Sequence, residues 1–388
     1  MVEVFVPRES ARGERRVAAT PESVGSLAKA GLDVVLERGA GEAAGIEDAA
    51  YEDAGATVAD GDAVGEARLV ARVASPSVDE VRRLAEGAVL LSFVGPHRNL
   101  EVVRALAERR ITTLSMELIP RISRAQAMDA LSSQANLAGY RAVIVAAHSL
   151  DKYFPLFMTA AGTIRPANVV VLGAGVAGLQ AVATARRLGA IVHVSDIREA
   201  ARDEVASLGG KFIEVPQEED LTGEGGYAKE VGEDFLTRQR EVLTRHLRTA
   251  NAVISTAQIP GRPAPELITT EMVEAMPPGS VIVDLAAADG GNCRLTDMSG
   301  VVEHGGVRII PGNDFPSAMP GEASALYARN VTALCGLLVD EGELRVDVED
   351  EVVAGALLTH DGEVTHARTA EMLAAHAGDA PSDRGRED

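Results

Sequence analysis

One run of glycines has the types and spacing of a phosphate-binding turn. The sequence G-A-G-V-A-G at residues 173–178 stands between an apolar, strand-like run and residues 179–188, which predict a helix. Gly173 permits a tight turn, Gly175 lets backbone approach a pyrophosphate, and Gly178 lets the helix pack on the strand. Free N–H groups and the helix dipole would hold the anion. The alternative is a glycine-rich turn chosen for packing alone.

A second strand-like run, at residues 191–195, ends in Asp196, which follows Gly178 by 18 residues. An acid at this offset is placed to accept hydrogen bonds from an adenosine ribose. Together with the glycine turn it predicts dinucleotide binding. Asp196 favours NAD, because a 2′-phosphate would meet a carboxylate. Arg198 weakens that preference, since such sites accept NADP through a nearby arginine; its other interpretation is a surface charge at a helix start.

Four polar residues in an earlier segment have the spacing of a loop that runs into a helix: Arg121, Gln126, Asp129 and Ser132. Their side chains could orient an amide by hydrogen bonds. They could equally cap a helix start and contact no ligand, as short polar side chains commonly do. The residues alone leave both interpretations open.

Residues 216–232 are acidic, rich in glycine and longer than an ordinary connection in a compact domain. Long loops of this kind often act as lids, and here glycines flank one bulky aromatic residue, Tyr227. The sequence therefore favours a lid over a solvated surface loop.

The composition excludes several classes of protein. The chain has 388 residues, 46% of them hydrophobic, and 58 acidic against 37 basic groups give a net charge of −21. A chain of this length and apolar content is neither fibrous nor disordered, and it predicts two or three domains. Its acidity opposes nucleic-acid binding, which needs a basic surface.

The cysteines and histidines predict no metal site and no disulfide framework, because Cys293 and Cys335 are 42 residues apart and the histidines lack ligand spacing. The N-terminal residues have no apolar signal core. No window holds the roughly 18 uninterrupted apolar residues of a membrane helix. We therefore expect a protein of the reducing cytoplasm.

Short apolar runs alternate with amphipathic helical stretches in two series, which predicts an α/β protein with two doubly wound, Rossmann-like parallel sheets. We place one domain at residues 1–132 plus 322–388 and the NAD-binding Rossmann domain at residues 133–321. Long helices near residues 133–150 and 322–339 connect them. Such a pair of domains predicts a cleft for a ligand. Residues 378–388 predict a disordered tail.

Longer motifs carry a family resemblance. The sequence R-I-S-R-A-Q-A-M-D-A-L-S-S-Q-A-N-L-A-G-Y-R at residues 121–141 resembles the signature of the NAD(H)-binding subunit of proton-translocating transhydrogenase, a relative of alanine dehydrogenase. Further blocks extend the resemblance over nearly the whole chain: P-R-E at 7–9, R-R-V-A-A-T-P at 15–21, G-G-Y-A-K-E at 225–230, I-P-G at 259–261 and G-G-N-C at 290–293.

The resemblance implies roles for named residues. Asp129 and Ser132 would hold the nicotinamide carboxamide and its ribose, Gln126 would reach toward a second nucleotide on a partner domain, and Arg121 would help to orient it. The family's mobile loop, with its tyrosine, falls at Tyr227. The candidate NAD-binding residues are Gly173, Gly175, Val176, Gly178, Asp196, Ile197, Arg198, Gly226, Tyr227, Ala257 and Gln258.

Departures from alanine dehydrogenase indicate the reaction. That relative uses Lys, His and Asp, and the matching positions here are Ala74, Gly95 and Ala288. Exchange with an amino acid needs proton transfer and hence a titratable group, whereas hydride transfer between two nicotinamides needs only near-contact and excluded water. Gln258, where the family often has an apolar residue, and Ala288, where it often has an acid, also depart from the transhydrogenase pattern.

The resemblance implies a homodimeric NAD(H)-binding subunit of proton-translocating NAD(P) transhydrogenase, held at the cytoplasmic face of the membrane by separate partners. Those partners would be a membrane-spanning subunit and an NADP(H)-binding domain. Two alternatives remain: a soluble alanine dehydrogenase-like oxidoreductase, and a non-catalytic NAD-binding module.

Overall fold

The structure is a computed structural model that describes residues 2–215, 232–259, 261–312, 314–340 and 342–378. The chain divides into two compact units. The first unit comprises Met1–Ser133 and Met319–Asp388, and the second comprises Gln134–Ala318. The predicted lid at 216–232, with Gly226 and Tyr227, lies outside the described residues except for Gly232, and so does the predicted tail at 378–388 except for Gly378.

The strands and helices follow one another in the alternating order expected of an α/β chain. The strands are β1 (Val2–Val6), β2 (Leu32–Glu37), β3 (Thr57–Ala59), β4 (Leu69–Ala71), β5 (Val89–Ser92), β6 (Thr112–Ser115), β7 (Phe157–Thr159), β8 (Gly162–Ile164), β9 (Asn168–Leu172), β10 (Ile191–Ser195), β11 (Lys211–Phe212), β12 (Ala252–Ser255), β13 (Val281–Asp284), β14 (Val302–His304), β15 (Val307–Pro311), β16 (Val339–Asp340), β17 (Glu343–Leu344), β18 (Leu357–His360) and β19 (Glu363–Val364). The helices are α1 (Pro21–Lys29), α2 (Asp48–Asp53), α3 (Val78–Arg83), α4 (Leu100–Glu108), α5 (Ala130–Ser149), α6 (Val176–Arg187), α7 (Ala201–Ser207), α8 (Glu233–Leu247), α9 (Thr270–Glu274), α10 (Pro320–Leu338), α11 (Glu351–Ala356) and α12 (Ala367–Gly378).

The first unit is built on one sheet. Among the described residues its eight strands have the order β19-β18-β6-β5-β4-β1-β2-β3. Side chains alternate across a strand, so neighbours along β1 enter different cores. Val4 packs in a core with Leu27 of α1 and Leu334 of α10. Phe5 packs in another core with Leu106 of α4. Helices therefore cover both faces, as the sequence predicts.

The second unit repeats this plan. Its described strands form a sheet in the order β11-β10-β9-β12-β13-β15-β14. Val171 of β9 packs with Ala181 of α6 on one face, while Val170 packs with Leu243 of α8 on the other. The chain leaves β9 for β10 on one side, and β12 later pairs with β9 on the other. Ligands of open parallel sheets bind outside the carboxyl ends of strands at such a reversal.

The prediction of parallel sheets is confirmed for the central strands, and the edges differ. In the first unit β18 runs antiparallel to β6, and β19 antiparallel to β18. In the second unit β14 runs antiparallel to β15. These strands are short, and the alternation of apolar residues along a strand does not fix the direction of its neighbour. Sheets of this class commonly carry antiparallel edge strands.

The helices α5 and α10 are the longest in the described residues, with 20 and 19 residues. The division between the units falls within α5, and α10 begins just after the chain returns to the first unit. No helix in the described part of the chain combines the length and apolar character needed to cross a membrane.

Candidate functional site

The glycine-rich turn connects β9 to α6 and is fixed by close packing. Gly173 has a φ of +91°, in the left-handed region that favours glycine. A Cβ at Gly173 would lie 2.7 Å from Thr256 Oγ1, and one at Gly178 would lie 1.9 Å from Gly173 O. Helix α6 begins at Val176, not at residue 179 as the sequence predicts, because Gly178 lies in its first turn against Gly173.

Gly175 differs from these two glycines because it faces open space. A Cβ built there meets no heavy atom within 4 Å, and its φ of −70° suits any residue. Gly175 is the N-cap of α6, and no side chain caps this end. The first N–H groups of a helix have no acceptor within it, and they carry the positive end of the helix dipole. The space before Gly175 is therefore suited to an anion.

Asp196 follows β10, and its carboxylate is 7% exposed. Oδ2 accepts a hydrogen bond from Ala174 N at 2.6 Å, which ties Asp196 to the glycine turn. Arg198 donates from Nε to Oδ1 and from Nη2 to Oδ2, each at 2.9 Å. The hydrogen bond to Asp196 raises the pKa of Arg198. Asp196 and Arg198, which the sequence analysis treats separately, thus form one ion pair beside half-buried Ile197. A ribose hydroxyl would compete with Arg198 for the Asp196 carboxylate.

The chain after β12 borders the glycine turn. Thr256 Oγ1 lies 3.1 Å from Leu172 O and 3.1 Å from Gly173 O, and it can donate to either. Ala257 is held by the Asn292 amide, which accepts from Ala257 N at 3.0 Å and donates to Ala257 O at 2.8 Å. The Asn292 side chain therefore makes hydrogen bonds with both the N–H and the C=O of Ala257, one of the predicted NAD-binding residues.

Asn292 is in turn fixed by Asp284, a fully buried carboxylate at the end of β13. Asp284 accepts hydrogen bonds from Ser255 Oγ, Thr296 Oγ1 and the N–H groups of Ala286, Asn292 and Cys293. A buried carboxylate is stable when hydrogen bonds replace its hydration. Asp284 and Asn292 are not among the predicted site residues. The signals for them are an acid that ends a strand and the asparagine of G-G-N-C.

Gln258 is exposed and its amide contacts a carboxylate. Nε2 donates to Asp289 Oδ2 at 3.1 Å. The sequence shows Ala288 where an acid is usual, and the structure places an acid one residue later, in contact with the other departing residue. Gln258 therefore contacts the acid that directly follows Ala288.

Of the four polar residues of the first unit, Asp129 and Ser132 lie at the start of α5, whereas Arg121 and Gln126 precede it. Asp129 Oδ1 accepts from Ser132 N at 2.8 Å, and Oδ2 accepts from Ser132 Oγ at 2.6 Å, so the pair caps the helix. Gln126 and Arg121 are exposed. In the part of the chain that the structure describes, the Gln126 side chain makes no hydrogen bond. The structure thus joins Asp129 to Ser132 and leaves the Gln126 amide available.

Two positions that the sequence treats as lacking titratable groups lie beside buried carboxylates. Glu117 accepts hydrogen bonds from Gly95 N, from Val94 N at 3.0 Å and from Ser115 Oγ at 2.7 Å. Glu9 accepts from Ala74 N at 3.4 Å. Burial raises the pKa of both acids. Two buried acids therefore lie next to Ala74 and Gly95, and both are bound to backbone N–H groups.

The family of the chain follows from its two halves. Residues 5–138 match "Alanine dehydrogenase/PNT, N-terminal domain", and residues 142–367 match "Alanine dehydrogenase/PNT, C-terminal domain". The chain belongs to the alanine dehydrogenase/PNT family. The two matches extend over the glycine turn, Asp196, the Asp284–Asn292 pair and the segment that holds Gln126 and Asp129.

Within the alanine dehydrogenase/PNT family the chain is similar to transhydrogenase alpha subunits. The first part of "NAD(P) transhydrogenase subunit alpha" of Rhodospirillum rubrum is 48% identical over 376 residues, covering 94% of this chain and 98% of the relative. "NAD(P) transhydrogenase subunit alpha" of Haemophilus influenzae is 45% identical, covering 93% and 71%. A crystal structure of transhydrogenase from Sinorhizobium meliloti superposes with a TM-score of 0.84 at 45% identity, covering 93% and 99%. The chain is thus a homologue of the transhydrogenase alpha subunit, an oxidoreductase.

Proposed function

We propose that the chain is the NAD(H)-binding subunit of a proton-translocating NAD(P) transhydrogenase, which passes hydride directly between NADH and NADP⁺ held on a partner domain. The observation that carries this proposal is the open N-terminus of α6 at Gly175, bordered by Asp196, in a homologue of transhydrogenase alpha subunits. An anion-binding helix start and a ribose acceptor at the switch point of a parallel sheet fit a dinucleotide.

The residues present fit NAD(H). The N–H groups before α6 would hold the pyrophosphate, and Asp196 would hold the adenosine ribose. Asp129 and Ser132 would hold the nicotinamide carboxamide and its ribose, and Arg121 would help to orient it. The bound dinucleotide supplies the hydride. The chain's own residues bind, orient and keep water away, and direct transfer between two nicotinamides requires no proton at a side chain.

The cofactor preference depends on Asp196, and we expect the chain to bind NADH more tightly than NADPH. Replacing Asp196 with Ala should weaken NADH binding by about 1–3 kcal/mol, because a charged hydrogen-bond acceptor is lost. The same change frees the Arg198 guanidinium to attract a 2′-phosphate, so the preference over NADPH should shrink as well. Fluorescence titrations with both nucleotides measure this, with Arg198→Ala as the control. Equal binding of NADH by Asp196→Ala and the unmodified chain would contradict the assignment.

The soluble alanine dehydrogenase is the closest alternative, and its reaction tests the proposal. We expect no reduction of NAD⁺ by alanine at any pH from mildly acidic to alkaline. Ala74, Gly95 and Ala288 stand where that enzyme has Lys, His and Asp, and the neighbouring Glu9 and Glu117 are buried and bound to backbone N–H groups, so we expect no free base for an amino acid. Alanine-dependent NADH formation, followed by absorbance, would overturn the proposed mechanism.

The partners that we propose are a membrane-spanning subunit and an NADP(H)-binding domain, which would hold this chain at the cytoplasmic face of the membrane. The support is the name "subunit alpha" that the relatives carry, since an alpha subunit acts within a larger assembly. Hydride transfer also requires a second nucleotide site, and the exposed Gln126 amide is available to contact what that site holds.

We propose further that the chain forms a homodimer through the hairpin β7–β8. Tyr153, Leu156, Phe157 and Met158 are 58%, 56%, 43% and 80% exposed. Exposed apolar surface of this kind marks interaction sites. Residues 152–165 contain Lys152 and Arg165 but no acid, so they complement a second copy of a chain with net charge −21. Light scattering should give a dimer for the unmodified chain and a monomer for Met158→Asp; a dimeric variant would contradict this interface.

A further inference from the structure

The segment that carries Gln126, Asp129 and Ser132 is tied to helix α10 by one side chain. Asn330 is 8% exposed and belongs to the first unit, like the segment itself. Its Nδ2 donates to Ala127 O at 2.8 Å, and its Oδ1 accepts from Ser133 Oγ at 2.8 Å. One amide therefore joins two points of the chain on either side of Asp129 and Ser132.

An ion pair holds the N-terminal end of the same segment. Arg124 donates to Asp350 Oδ2 and Oδ1, each at 2.7 Å. Asp350 also caps α11, because its Oδ1 accepts from Val352 N at 2.9 Å and Val353 N at 3.2 Å. The hydrogen bond from Arg124 lowers the pKa of Asp350 to about 2, so the pair stays charged at neutral pH. Asn330 and Asp350 both belong to the part of the chain that follows the second unit.

The chemistry of the Asn330 contacts is specific. The site needs a donor toward the Ala127 carbonyl and an acceptor toward the Ser133 hydroxyl, and an amide supplies both in one short, rigid group. Gln126 lies next to Ala127, and Ser132 lies next to Ser133. Any displacement of Ala127 or Ser133 is therefore passed to the two residues proposed to contact the nucleotides.

We propose that Asn330 is a positioning residue for hydride transfer, because it fixes the backbone of residues 124–133 through Ala127 and Ser133. The inference rests on the proposed function. Asn330 touches neither nucleotide; it acts through the segment. Transfer between two rings is sensitive to placement, and a displacement of about 1 Å costs on the order of a hundredfold in rate.

Asn330→Asp tests the proposal, since it keeps the shape and the acceptor but sets a carboxylate oxygen against Ala127 O. With an NADP(H)-binding domain of a transhydrogenase as the partner, single-turnover hydride transfer at saturating NADH should fall at least about tenfold. The NADH dissociation constant should change less than about threefold. Ser133→Ala removes one of the two contacts of Asn330, together with the 3.1 Å contact of Ser133 Oγ with Ala130 O, and should slow transfer by a smaller factor.

A readout independent of transfer is amide hydrogen exchange of peptides from residues 121–133 in the chain alone. Exchange should be at least about fivefold faster in Asn330→Asp, because the segment opens locally. Thr332→Val is the matched control on α10: its hydroxyl donates to Ala328 O at 2.7 Å, within the helix, so its loss should leave both readouts unchanged.

The outcomes separate the two proposals. If the unmodified chain transfers no hydride, the proposed function fails, whereas the exchange experiment still tests whether Asn330 holds the segment. If the unmodified chain is active and folded Asn330→Asp transfers at the same rate, the positioning role is refuted. Equal losses in Thr332→Val would also refute it, since they would indicate general destabilisation. Should Asn330→Asp not fold, Ser133→Ala decides by the same two measurements.

Discussion

Gln126→Asn, which is shorter by one methylene, should slow single-turnover hydride transfer by about a hundredfold while NADH affinity changes less than about twofold. The reason is geometric. The Gln126 amide is exposed and makes no hydrogen bond within the described residues, so it is available to a nucleotide held on the partner. Transfer depends on near-contact of two rings, and a group that aligns them acts on the rate rather than on the binding of NADH.

Asp129→Ala should behave differently from Gln126→Asn. Asp129 is proposed to contact NADH itself and also caps α5 through Ser132, so its loss should weaken NADH binding as well. Ser123→Ala, a change in the same turn, serves as the control and should alter neither quantity. The comparison needs one dissociation constant and one single-turnover rate for each variant. Weak NADH binding with normal transfer at saturation in Gln126→Asn would show that Gln126 only binds NADH.

Gly178→Ala should destabilise the chain by about 3 kcal/mol, because its Cβ would lie 1.9 Å from Gly173 O and the turn or the helix must move. Gly175→Ala should lower the free energy of unfolding by no more than about 1 kcal/mol, the cost of alanine at an N-cap, because no heavy atom lies within 4 Å of its Cβ. It should nevertheless weaken NADH binding at least about tenfold, or about 1.4 kcal/mol, since the methyl group occupies the space proposed for the pyrophosphate.

Each glycine variant is the control for the other. Gly178→Ala disturbs the packing of the turn, whereas Gly175→Ala places a methyl group in open space. Denaturant unfolding gives the stability, and NADH fluorescence gives the dissociation constant. A Gly175→Ala protein that binds NADH like the unmodified chain would show that no phosphate approaches this backbone. A fully stable Gly178→Ala protein would show that the turn tolerates a side chain.

The sequence predicts well those features that follow from local pattern. The strand, glycine turn, helix and second strand around Gly173 are where the periodicity places them, because buried strands and tight turns have strong local signals. The directions of β18 and β14 do not follow from local pattern, since pairing at a sheet edge is decided by residues distant in the chain. The start of α6 at Val176 also differs from the predicted start at residue 179, because a glycine favours a turn by propensity but is required here by packing.

The candidate site shows the same division. Residue types and spacing point to Asp196 and Arg198, and the family resemblance points to Gln258, but only the fold pairs Asp196 with Arg198 and Gln258 with Asp289. The buried residues that hold the site's loops are harder to predict from the sequence. Asn292 follows Ala257 by 35 residues, and Asn330 lies 203 residues beyond Ala127, so no local pattern connects them. Such buried amides are recognised only once the hydrogen bonds of the loops they hold have been traced.

The most direct test of the account follows an isotope. NADH that carries two deuterium atoms at C4 of the nicotinamide is mixed with the purified chain, an NADP(H)-binding domain of a transhydrogenase and NADP⁺, and the NADPH formed is analysed by mass spectrometry. Direct transfer predicts NADPH with one deuterium per molecule and none replaced by hydrogen from water. NADPH that carries solvent hydrogen in place of that deuterium, or no NADPH from a mixture in which both proteins bind their nucleotides, would contradict the account.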